Sequence, residues 1–79
     1  MKFITVSRKL GRKIQELRKA KGLKQEDMEN FGIPYKYYER IESPGTHPVN
    51  MTLKTLMKIA DALDAELSDF FEFYEDEGK

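Results

Sequence analysis

The 79-residue sequence has no cysteine, no tryptophan and a single histidine, His47. Without cysteine, neither a disulfide framework nor a thiolate metal site can form, and a reducing cytoplasm is the expected setting. A zinc site would need carboxylates for every ligand but one, so neither a metal nor another cofactor is expected. Catalysis in general has little support. There is no cysteine, no histidine with a fixed carboxylate partner and no glycine-rich phosphate loop, so the chain is not expected to be an enzyme. Long apolar runs are missing too. Nothing approaches the roughly 20 residues of a membrane span, and residues 1–6 are too short for the core of a signal peptide. The acids Glu75, Asp76 and Glu77 read as part of a solvated tail, 75–79, rather than as a metal cluster.

The length allows one domain, 1–79, with a thin margin of stability that a second copy of the chain can complete. The formal net charge of zero conceals a gradient. Residues 1–24 carry nine Lys or Arg against Glu16 alone. From Ala65 onward six acids face only Lys79. One end of the molecule can therefore face phosphate while the other faces away.

Helical spacing dominates. Leu10, Ile14 and Leu17 form an amphipathic stripe, and Ser7 as a cap with Gly22 as a stop predict a first helix over 7–21. Four bases, Arg8, Lys9, Arg12 and Lys13, crowd its N-terminal half, where the helix dipole disfavours them. A second helix covers 25–31 with its acids at the start, and Gly32 ends it. A third opens at Pro34 and runs to about 43, with Tyr38 and Ile41 inward. Two prolines and a glycine make 43–48 a loop. Thr52 or Asn50 caps a fourth helix with Leu53, Leu56, Met57, Ala60 and Leu63 on its buried face. A short fifth begins near Ser68. Strand propensity is strong only at Phe3-Ile4-Thr5-Val6.

The ordered series Leu10-Gly11, Ile14, Leu17-Arg18, Gly22-Leu23, Gln25-Glu26-Asp27, Gly32-Ile33, Arg40-Ile41-Glu42, Thr52-Leu53, Leu56, Ile59-Ala60 and Ala62-Leu63 resembles the Xre family. That family contains the lambda repressor and Cro. The resemblance covers about 7–71 and is greatest to small stand-alone members such as restriction-modification controller proteins. It implies an all-α, five-helix lambda-repressor-like domain with a helix-turn-helix over about 25–43. The implied function is that of a homodimeric, sequence-specific DNA-binding transcriptional regulator. Three features depart from the pattern. The segment from Gln25 to Gly32 is one residue short, Lys24 stands where a serine or threonine cap is usual, and the loop 43–51 is long and proline-rich.

On this reading the third helix enters the major groove of double-stranded DNA. Arg40 can fork onto guanine, and Lys36 can reach guanine or phosphate. Tyr35 and Tyr37 can offer rings to thymine methyls and hydroxyls to phosphate, although Tyr37 can equally pack on a neighbouring helix. Glu39 can accept from cytosine, or pair with Lys36 or Arg40 instead. The resemblance implies that Gln25 braces the DNA backbone and that Arg18 and Glu42 form a structural ion pair. Lys24, Thr46 and Asn50 complete the DNA-contact candidates. His47 reads as a solvated loop residue or a phosphate contact. Leu67, Phe70, Phe71, Phe73 and Tyr74 concentrate apolar surface in eight residues, which predicts a dimer interface. The alternative is an antitoxin-like or other protein-interaction module of the same fold.

Overall fold

In the computed structural model, which describes residues 2–72, five helical segments follow one another. They are α1 (Phe3–Ala20), η1 (Gln25–Phe31), α2 (Tyr35–Glu42), α3 (Leu53–Ala62) and η2 (Leu67–Phe71), of which η1 and η2 are 3-10 helices. No strand occurs among the described residues.

The first helix starts four residues earlier than the sequence predicts. Phe3-Ile4-Thr5-Val6 is helical, so Ser7 lies inside α1 and Lys2 precedes its first turn. The physical reason is that Val6 extends the Leu10, Ile14 stripe by one turn. Phe3, Val6 and Leu10 thereby line a groove shared with Leu53 and Leu56 of α3, and that packing outweighs local strand propensity.

The start of η1 has no serine or threonine cap. The Asp27 carboxylate instead accepts from the Lys24 backbone N–H at 2.7 Å. Seven residues of 3-10 helix are an unusually long run. At about 2.0 Å rise per residue they span roughly 14 Å, against roughly 10.5 Å in an α-helix. The tighter winding thus offsets the residue that this segment lacks. Gly32, at φ 82°, ends η1 in the left-handed region and turns the chain into α2.

Thr52 caps α3, its hydroxyl accepting from the Thr55 N–H at 3.2 Å. The buried face of α3 is turned relative to expectation. Leu53 and Met57 are 64% and 51% exposed, whereas Leu56, Ile59, Ala60, Ala62 and Leu63 are buried.

α1 packs on α2 and η2, η1 on α2 and α3, and α3 on η2. Tyr38, Met28, Ile14, Ile33, Ile59 and Phe70 lie fully buried between them. This placement corrects part of the expected dimer patch. Phe70 belongs to the core of the single chain, and Leu67 and Phe71 are half-buried against that core. Phe73 and Tyr74, like the acidic tail 75–79, lie outside the described residues. Large apolar exposure falls elsewhere, on Phe3 (58%), Leu53 and Met57, and to a lesser degree on Phe31 of η1. Among the described residues no helix is long and apolar enough to cross a membrane.

Candidate nucleic-acid interface

The eight residues of α2 divide cleanly by burial. Tyr38, Ile41 and Glu42 face inward, while Lys36, Glu39 and Arg40 are exposed at helical spacings of three and four. Tyr35 is half-buried, and its hydroxyl donates to Glu39 Oε2 at 3.2 Å. Glu39 is thus engaged by Tyr35 rather than by Lys36 or Arg40. Its negative charge pushes the Tyr35 hydroxyl above its ordinary pKa. Of the two readings of Tyr37, packing is what the structure shows, since its ring lies against the core.

The orientation of α2 is set at its last residue. Glu42 accepts from Arg18 Nε at 2.6 Å and from Arg18 Nη2 at 3.1 Å, a forked pair buried on both sides. Arg18 Nη1 also donates to the Leu23 carbonyl at 2.7 Å, which ties in the connection between α1 and η1. Burial alone would raise the Glu42 carboxyl. The bonds donated by Arg18 and by the Gln25 amide, with the polar Tyr38 hydroxyl nearby, outweigh it and hold the group below the usual carboxylate range. The bond to Glu42 in turn raises Arg18. Burial pushes the Tyr38 hydroxyl far up, and it makes no hydrogen bond to a described residue.

Gln25 joins this cluster, its Nε2 donating to Glu42 Oε1 at 2.9 Å. The side chain expected to reach the DNA backbone therefore spends one donor inward, linking η1 to the end of α2. Nothing in the sequence shows this bond across 17 positions.

Two arginines grip the loop that follows α2. Arg8 of α1 donates through Nε and Nη2 to the Gly45 carbonyl at 3.1 and 2.9 Å. Arg40 donates to the His47 carbonyl at 3.3 Å. Sequence reading missed the role of Arg8 entirely, because its partner lies 37 positions away on a loop of no fixed type. Thr46, Asn50 and Lys24 are exposed, as a phosphate contact requires. The Thr46 hydroxyl lies 2.9 Å from His47 Nδ1. The structure thus brings Arg8, Arg40, Thr46 and His47 together around one loop, while Lys24 and Gln25 sit at the start of η1.

A pair of short helices about a glycine turn, with a cationic ridge on the second, is the geometry of a helix-turn-helix. The model of the Cro/C1-type HTH DNA-binding domain matches residues 8–76. The chain belongs to that family. Among solved structures, the restriction-modification controller protein C.AhdI from Aeromonas hydrophila is 32% identical, with a TM-score of 0.74. The match covers 86% of this chain and 98% of that one. No curated protein gives a significant sequence match. Within this helix-turn-helix family frame, η1 is the supporting helix and α2 the helix that carries the exposed ridge.

Proposed function

We propose that the chain is a sequence-specific transcriptional regulator acting in the cytoplasm, with α2 seated in the major groove of a palindromic operator. The observation that carries this reading is the exposed ridge of Lys36, Glu39 and Arg40 on a helix whose other face is locked by buried Tyr38, Ile41 and Glu42. A rigid helix of this width fits the groove, and its cations match guanine edges and phosphates. The resemblance of fold to a restriction-modification controller protein supports the same reading. The regulator acts as a homodimer, so that two copies of α2 meet half-sites about one DNA turn, roughly 34 Å, apart. The exposed apolar residues Phe3, Leu53 and Met57 favour self-association through the α1–α3 side.

The test is binding to duplexes that the protein itself selects from a randomised pool. Arg40→Ala lowers affinity for the selected duplex by about 1–3 kcal/mol and relaxes preference at one position. Lys36→Ala, if its contact is to phosphate, weakens all duplexes alike and flattens the salt dependence. If both variants bind the selected duplex as the wild type does, α2 is not the reader. The exposed face then serves a protein partner instead.

A further inference from the structure

A cleft opens where α1 passes the end of α2, and its charges are not explained by the fold. Arg8, Arg12 and Gln15 of α1 form one wall, and Glu42, Ser43 and Gly45 form the other. Arg8 and Arg12 are four positions apart, so their like charges repel along the helix. The first turn of α1 carries no acid that could offset them. Packing does not repay that cost. Arg8 donates only to the neutral Gly45 carbonyl. Arg12 is exposed and makes no hydrogen bond or ion pair with a described residue. Glu42, the one acid lining the cleft, has its side chain fully buried and both carboxylate oxygens taken by Arg18 and Gln25.

The remaining donors converge on one chemistry. Arg8 retains a free Nη1, Arg12 a whole guanidinium, Gln15 an amide and Ser43 a hydroxyl. Such a set suits a tetrahedral oxyanion. We propose that this cleft binds a backbone phosphate of duplex DNA, outside the bases that α2 reads. The inference rests on the reading of α2 as the DNA-binding helix, because the cleft adjoins the α2 terminus and the loop that Arg8 and Arg40 both hold.

The experiment measures binding against salt concentration for the full chain, using one self-selected duplex and one scrambled duplex. Arg12→Gln is expected to reduce the slope of log affinity against log salt by about 0.9 on both duplexes, leaving base preference unchanged. Arg12→Lys restores the slope, since counterion release counts charge rather than hydrogen-bond geometry. Melting curves check that Arg12→Gln folds as the wild type does, as expected for a side chain without a partner among the described residues. A wild-type slope for Arg12→Gln overturns the cleft while leaving α2 as the reader. Wild-type protein that binds neither duplex overturns both readings.

Discussion

Gly11 offers a substitution for which two simple arguments predict opposite signs. It lies mid-helix in α1, where alanine is worth about 1 kcal/mol more than glycine in propensity. A Cβ at this position, however, would overlap the Ile41 carbonyl oxygen and come within 2.8 Å of the Glu42 carbonyl oxygen. Both atoms are backbone at the end of α2, so neither can swing aside. α1 and α2 would have to separate, and overpacking of this kind costs typically 1–3 kcal/mol. At the upper end of that range, about 3 kcal/mol less the propensity gain of about 1, Gly11→Ala loses about 2 kcal/mol. For a domain of this size that lowers the melting temperature by roughly 8–16 °C. Thermal unfolding followed by far-ultraviolet circular dichroism reads the loss. The same substitution in an isolated peptide of α1 has no α2 to strike, and there it raises helicity. A full-length variant that melts at or above the wild-type temperature refutes the close approach of the two helices.

Glu42→Gln removes the carboxylate but keeps its shape, leaving Arg18 buried without a counter-charge, and lowers stability at neutral pH by about 3 kcal/mol. The folded Glu42 carboxyl titrates below its unfolded value of about 4.3. Its contribution is therefore complete above that pH and disappears as pH falls through the folded value. The gap between wild type and Glu42→Gln in chemical denaturation should narrow in acid; a gap that stays constant to low pH refutes the assignment. Leu53→Glu places a charge on a residue that is 64% exposed in the single chain. It should shift sedimentation from dimer toward monomer with little change in monomer stability, whereas an unchanged dimer moves the interface away from the α1–α3 side.

Much of the fold was legible because single residues carried unambiguous signals. Gly22 stops α1, Thr52 caps α3, and the three-residue spacing of Tyr38 and Ile41 fixes which side of α2 is buried. The misreadings have specific causes. Phe3-Ile4-Thr5-Val6 is strand-prone in isolation, and only the position of Val6 one turn before Leu10 reveals the helix. Along α3 nearly every other residue is apolar, so the stripe has no unique phase. Packing against η1 and η2 selects Leu56, Ile59, Ala60, Ala62 and Leu63 and leaves Leu53 and Met57 outside. The 3-10 winding of η1 leaves its start and stop residues where an α-helix would have them, so end signals cannot disclose it. Phe70 and Phe71 are adjacent in sequence and equally apolar, yet one is wholly inside and the other half-covered.

At the candidate interface, resemblance to a family implied the Arg18–Glu42 pair, but not how much of the fold converges on it. One carboxylate collects bonds from α1 through Arg18 and from η1 through Gln25, while itself ending α2. The connection at Leu23 is bound by the same guanidinium. Three segments are therefore fixed relative to one another by charge-assisted bonds shielded from water, where such bonds are strong. The contacts on the outer side differ in kind. Arg40 to the His47 carbonyl and Arg8 to the Gly45 carbonyl are exposed, each with a neutral acceptor that water can replace. Exposed polar contacts of this sort are worth little on net. Exchanging the carbonyl for a guanine edge or a phosphate oxygen thus costs the free protein little, and an anionic acceptor makes the stronger bond. The buried network holds α2 in a fixed attitude, and on the proposed reading the arginines around it are held loosely enough to be given up to DNA.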